Sequence, residues 1–489
     1  MKISMSPMRP DPKAYKQRTG SHPTDRTKPV RREVSGKGGR RWLLPFTAIA
    51  LSALCAPTAV GAQSGVQDTV DERLGMAEAV RAAVFTHPSI RGAREQVRQA
   101  DEGVEAARAG YRPQITGGIE GRTNRYRESS YDSRHVYTAT VSASQMLYDF
   151  GKVAGATRQA RAGVRASEAQ VEWATNEIAM STAQAWVDAH LQQALVSLAS
   201  EQLDAVLAIA SLVGERVTKG ATSRSDLEQA NSRVEALRSQ LLGAEAEAQR
   251  ASLTLMHLTG RVEPVQISGD IPAALGAEAC RFGADVSTPS VRVAEARRDD
   301  ARAQLDIARA ERLPTVTLDG SIGYALTDGS RLYGEHRSTG QVGVNFSMPL
   351  YQGGSTGARE RGAYYQLRSF EDAVYQARLE TRQGLADART QHDGWAERAP
   401  IIDARVRSIN ATRELYRQQY LQLGSRSLLD LLNAEQEYHA ARVEQLQGIY
   451  LQYRLAVQCI YYRDQLRDIF GLESAEASEA GMAEIGTTR

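Results

Sequence analysis

The chain has 489 residues, 24% charged and 6% aromatic, with three cysteines, and its mean hydropathy is negative, which excludes a polytopic helical membrane protein. Its formal charge of +2 does not describe the bulk. Residues 1–62 hold 12 Lys/Arg and three Asp/Glu of the chain's 60 and 58, leaving 48 against 55 and a net of −7, so nucleic-acid binding has no support.

In chain order, a basic segment ending Arg40-Arg41 precedes the one strongly apolar run, Trp42–Val60, and then Val60-Gly61-Ala62, a small-x-small cleavage signal. Residues 1–62 therefore read as a cleaved export signal. A single-pass anchor is the alternative, disfavoured because the run is short and contains Pro45 and Pro57. Leu54 precedes Cys55 where a lipoprotein signal wants Gly, Ala or Ser, so an acylated terminus is not expected.

Helical signals run from Asp71-Glu72 to Ala109, interrupted at Thr86-His87-Pro88, where a proline suits a fresh helix start. The period then changes to two. Tyr137, Ala139, Val141 and Ala143 alternate with Val136, Thr138, Thr140 and Ser142. Farther on, Val316, Leu318, Ile322 and Tyr324 alternate with Thr315, Thr317, Asp319 and Ser321. Val342, Val344, Phe346 and Met348 alternate with Gln341, Gly343, Asn345 and Ser347. Two β-hairpins, 111–150 and 314–351, are expected, each with one apolar face. Strand length and tyrosines near the ends (Tyr111, Tyr126, Tyr148, Tyr324, Tyr333, Tyr351) fit transmembrane strands better than a soluble sandwich.

Gly151–Val217 contains no proline and implies about 100 Å of helix; Ser355–Leu421 matches it, with a kink expected at Pro400. After the first of these, Leu227, Ala230, Val234, Leu237, Leu241, Ala244, Ala248, Ala251, Leu255 and Leu258 step by three and four, the seam of a coiled coil. The short helices 72–109 and 223–258 together reach about 110 Å, enough for a stacked pair to lie along one long helix.

The chain is internally duplicated. Gly220 and Asp226 in VTKGATSRSDLEQANSRVEALR recur as Gly424 and Asp430 in YLQLGSRSLLDLLNAEQEYHAAR, 204 residues later. Pro88/Pro289, Pro113/Pro314 and Tyr148/Tyr351 repeat in the same order with nearly the same spacing. The division expected is a first repeat, 63–258 (tip 217–226), a connector, 259–287, a second repeat, 288–470 (tip 420–433), and a disordered tail, 471–489. The fold class is α+β: long α-helical coiled-coil hairpins joined to two β-hairpins.

Four strands cannot close a barrel, and an open sheet edge cannot face lipid because its amides and carbonyls would be unpaired. Strands in a membrane therefore demand oligomerisation. Three chains supply twelve strands, against about eight in the smallest ordinary barrels.

The duplicated unit, the junctions LYDFG and LYQGG, and the tips KGATSRSDLEQA and LGSRSLLDLLNAEQEY resemble the TolC family of outer-membrane efflux and type I secretion proteins over about 72–470. The resemblance implies a homotrimer with a twelve-stranded barrel in outer-membrane lipid and a periplasmic α-barrel closed at its tips. It also implies a periplasmic adaptor (membrane fusion protein) and an inner-membrane transporter, ABC or RND, as partners. Carried onto this sequence, Asp430 and Asn433 occupy the entrance constriction, where a second acidic residue is usual in place of Asn433. Arg426 matches a latching basic residue, and the latch tyrosine falls on Leu421, with Tyr420 about 100° away round the helix. Gly220, Ser223, Asp226, Gly424 and Ser427 would form the adaptor-docking tips. A dipole-favouring carboxylate at a helix start is the alternative for both aspartates; the resemblance favours the constriction for Asp430, and the dipole reading is preferred for Asp226.

No catalytic, nucleotide or metal-ligating motif occurs, and His87, His135, His190, His257, His336, His392 and His439 lack ligand spacing. The chain is not expected to be an enzyme or to hold a cofactor or metal. Of Cys280 and Cys459, the second falls 204 residues after Leu255, a core heptad position, so a buried, unpaired thiol is expected although export would permit a disulfide. The function expected is a passive exit duct, for type I protein secretion before multidrug efflux. A non-channel periplasmic coiled-coil adaptor or scaffold is the competing class.

Overall fold

The computed structural model describes residues 74–123, 135–263, 267, 271–276, 278–280, 287–326 and 337–472. The export segment, the loops 124–134 and 327–336 with Tyr126 and Tyr333, much of the connector and nearly all of the tail lie outside the described residues.

The chain enters through α1 (Met76–Thr86) and α2 (Pro88–Arg108), separated at His87, whose ring accepts the Ser89 amide while Pro88 occupies the first helical turn. Then come β1 (Gln114–Thr123), β2 (His135–Tyr148), the 67-residue α3 (Lys152–Thr218) and α4 (Arg224–Thr259). The second repeat follows with α5 (Pro289–Ala310), β3 (Thr315–Ala325), β4 (Ser338–Ser347), the 64-residue α6 (Ser355–Gln418), α7 (Leu428–Tyr462) and the short α8 (Leu466–Phe470). α6 stays helical through Pro400.

The strands form one antiparallel sheet in the order β1-β2-β3-β4. Its register decides which side chains share a face. Ile119 pairs with Ala139, Ala139 with Tyr324, Leu318 with Val344 and Val316 with Phe346, so the apolar residues of all four strands lie on one side. Thr140, Ser144, Asp319 and Asn345 lie on the other. That apolar face is uncovered: Ile119 is 73% exposed and Val342 81%.

Each strand pair passes into its long helix through a short junction. In LYDFG, Asp149 is buried and its carboxylate accepts the Gly151 and Val153 amides, capping α3. In LYQGG, Gly353 and Gly354 both take positive φ, 61° and 83°.

The stacked pairing expected from helix lengths is present. α1, α2 and α4 all lie along α3, and the Thr86 hydroxyl reaches the Thr259 carbonyl where α1 meets the end of α4. The α4 seam faces inward along its length: Ala230, Val234, Leu237, Ala251 and Leu255 are buried and the other five seam residues half-buried. α3 includes an 18-residue window apolar enough to cross a membrane by composition. It packs against α1, α2, α4, α5 and α7. By contrast α6 buries few residues, among them Leu367, Val374, Thr381 and Ala388 at seven-residue spacing, and leaves Tyr365, Tyr375, Ile401 and Leu415 exposed.

The largest core gathers where α1, α3, the connector, α7 and α8 converge on Trp186, which is fully buried and donates its indole N–H to the Leu74 carbonyl at 2.9 Å. There the structure corrects one expectation. Cys280 and Cys459 are both buried, but they are joined in a disulfide, with Cα atoms 5.2 Å apart. Heptad phase correctly buries Cys459. It says nothing of where an aperiodic connector lands, and this one folds onto α7, held also by Arg463 donating to the Ala279 carbonyl.

Candidate functional site

The two hairpin tips share one local design. In the first, α3 ends at Thr218, Gly220 takes φ 71°, and Ser223 caps α4 by accepting the Asp226 amide at 3.2 Å. The Thr222 hydroxyl donates to the Asp226 carboxylate at 2.6 Å. This bond and that from Ser223 hold Asp226 below the usual carboxylate range. In the second, Gly424 takes φ 61°, Ser427 accepts the Asp430 amide at 3.1 Å, and Asp430 in return accepts the Ser427 amide, a reciprocal capping box.

Between the tips lies a core of Val206, Ile209 and Val213 from α3, Ala230 and Val234 from α4, and Leu428, Leu431 and Leu432 from α7. These residues bury one side of α7 and turn the other outward. Asp430, half-exposed, and the exposed Asn433 and Glu437 stand three and four residues apart on that outward side. Glu437, not singled out from the sequence, continues the polar line, and the helical spacing alone could have found it.

Arg426 lies 3.9 Å from the Asp430 carboxylate, donates to the Gln419 side chain and covers the Tyr416 ring at 4.5 Å. Its described partners are thus all within its own tip. Gly220, Ser223 and Asp226 lie in the other tip, and Tyr420, 5% exposed, packs into the core between the two. Burial pushes the Tyr420 phenol up, against the pull of Arg216. The hydroxyl faces Thr222 and Asp226 without completing a well-formed hydrogen bond among the described residues. Leu421 is 38% exposed, so the buried aromatic position belongs to Tyr420. A π-turn, Gln419–Leu423, takes up the one-residue offset.

Two turns inside the second tip, Glu435 is buried and receives Arg413 from α6 and His439 from its own helix, each at 3.2 Å, while Arg413 covers the Tyr438 ring. Sequence reasoning missed this group; its one signal was the i,i+4 Glu-His pair. Burial raises the Glu435 pKa, but His439 and Arg413 together outweigh it and hold the carboxylate below its ordinary value. A depressed folded pKa contributes stability above the unfolded value of about 4.3, lost as pH falls through the folded one. Glu435→Gln is expected to cost about 2 kcal/mol at pH 7 and to flatten the acid limb of a plot of melting midpoint against pH, followed by circular dichroism.

Among the described residues no group of His, Cys, Asp and Glu is arranged to hold a metal. The tips are thus a helical end with a polar line on the outward side of α7, at the other end of the long helices from an uncovered apolar sheet.

The profile of the family described as outer membrane efflux protein matches residues 80–261 and 284–458. The chain is 25% identical to the outer membrane efflux protein BepC of Brucella suis biovar 1 over 415 residues, covering 82% of this chain and 86% of that one. It is 27% identical to the proteases secretion protein PrtF of Dickeya chrysanthemi over 402 residues, 76% and 84% of the two chains. Among solved structures, the outer membrane protein VceC of Vibrio cholerae superposes with a TM-score of 0.68 at 19% identity, over 80% of this chain and 96% of that one.

Proposed function

The chain belongs to the outer membrane efflux protein family, channels of the Gram-negative outer membrane, and on that premise we propose that it is the passive exit duct of a tripartite export system, opened at its periplasmic tips by an adaptor and an inner-membrane transporter. The observation that carries this reading is the sheet. Its four described strands present one continuous apolar face, and β1 and β4 each have a neighbour on one side only. In lipid those edges must be paired, and β1 of one copy against β4 of the next would close twelve strands in a homotrimer. α6 supports the same arrangement, because its exposed tyrosines and leucines require cover from a neighbouring copy.

Asp430 and Asn433 would then form the constriction, one ring of three carboxylates beside one neutral polar ring, with Arg426 steadying it. Gly220, Ser223, Asp226, Gly424 and Ser427 shape the turns that an adaptor would meet. The cargo is assigned first as secreted protein, a reading favoured by the likeness to PrtF. Multidrug efflux is the second reading, favoured by the likeness to BepC.

The test is single-channel conductance of the purified protein in a planar bilayer, after its mass has been checked for a trimer. Small, cation-preferring openings are expected. Asp430→Ala should reduce cation preference severalfold and Arg426→Ala should raise the open fraction; unchanged behaviour in both would remove these residues from the gate. Loss of an exported protein on gene deletion, with drug tolerance intact, would fix the cargo class.

A further inference from the structure

The two tips differ in the backbone bonds that close the long helix, and comparing them across the 204-residue period shows where those bonds went. In the first tip the Ala221 amide donates to the Arg216 carbonyl at 2.8 Å, closing the usual wide turn at a helix end. The equivalent bond in the second tip would run from Ser425 to Tyr420. It is not made. The Gly424 and Ser425 amides both go to Gln419, one residue farther back, which is what creates the π-turn.

That displacement leaves the Tyr420 carbonyl without the amide that its counterpart receives. Arg216 takes it: its Nη1 donates to the Tyr420 oxygen at 2.9 Å, and its guanidinium covers the Tyr420 ring at 4.9 Å. Arg216 lies on α3 of the first hairpin, so this is a polar joint between the hairpins at the level of the tips. It is half-buried, and its acceptor is backbone, which a sequence search for charged partners would not reveal.

We propose that Arg216 is the fastener that holds the second tip in its π-turned, closed form, and that opening exchanges the Arg216–Tyr420 bond for the Ser425–Tyr420 bond already seen, in equivalent form, in the first tip. The exchange conserves hydrogen bonds. The carbonyl gives up a side-chain donor and gains a backbone one, while the guanidinium passes to water. The two states therefore differ little in energy, as a gate moved by a docking partner requires. Arg216 acts here as a positioning residue, through the turn that carries the constriction. The proposal rests on the duct reading given above.

Full-length protein is reconstituted in planar bilayers as wild type, Arg216→Ala, Arg216→Lys and Tyr420→Phe, with trimer content and melting midpoint recorded for each. Arg216→Ala should raise the open fraction about tenfold, the scale of one lost bond to a charged donor, with the melting midpoint little changed. Arg216→Lys, which keeps the charge but not the planar stack, should give a smaller rise. Tyr420→Phe keeps both the ring and the carbonyl and should stay closed like wild type. An open fraction in both Arg216 variants equal to that of wild type would overturn the proposal. So would Tyr420→Phe opening as far as Arg216→Ala, since the phenol would then be the fastener. A wild-type trimer that never conducts would overturn the duct reading itself, so the two failures are distinguishable.

Discussion

Trp186→Ala is expected to lower the melting midpoint of the helical signal by about 5 °C, the shift for a chain of this size when about 3–5 kcal/mol is lost. The indole is fully buried among Ala179, Ala183, Val187, Val80 and Ile460. Alanine neighbours have little side chain with which to refill the space, so the cavity would persist. Truncation also leaves the buried Leu74 carbonyl without its donor. Leu74 itself bridges to Ile267 in the connector, so the loss should loosen the start of the described chain and the link between repeats together. Trp186→Phe separates the contributions: it keeps most of the volume and should cost roughly the hydrogen bond alone, about 1–2 kcal/mol. Equal midpoints for Trp186→Ala and wild type would show that this core does not hold the helices together.

Reduction of the Cys280–Cys459 bond, or Cys459→Ser, should be of comparable size. The two cysteines are 179 residues apart, and in the chain-entropy account a loop of that length restricts the unfolded state by about 5 kcal/mol. The folded state is ready to lose little in return, because Leu455, Ala388 and Trp395 already surround the sulfurs. The measurement is the melting midpoint with and without reductant, on wild type and on Cys459→Ser. Reductant should lower the first by several degrees and leave the second unmoved. A wild-type midpoint insensitive to complete reduction would mean that the connector is held to α7 by Arg463 and apolar contacts alone. Export across the inner membrane to an oxidising space is compatible with the bond.

The elements were largely legible in the residues because each obeys a strong local rule. Proline-free Gly151–Val217 became Lys152–Thr218, and the three-four steps of the α4 seam became its inward face. The glycine-to-aspartate spacing of both tips became a positive-φ glycine followed by a helix start at which the aspartate amide meets a serine cap. Period-two alternation gave each hairpin its apolar side, and the duplication, visible from four landmarks, gave the order of parts twice over. These are properties of φ, ψ and side-chain period, which neighbouring residues fix among themselves.

Tertiary structure decided what depends on distant segments meeting. The pairing of β2 with β3, 175 residues away at Ser144 and Asp319, aligned four apolar faces into one. The aperiodic connector brought Cys280 to Cys459, where heptad phase alone favoured a free thiol. Glu435 met Arg413 across two helices, and Arg216 reached a backbone oxygen whose availability came from a π-turn that no residue type signals. Sequence period specifies which side of an element is buried; only the folded chain specifies what it is buried against, because that choice is made by packing and by hydrogen-bond completion over long separations.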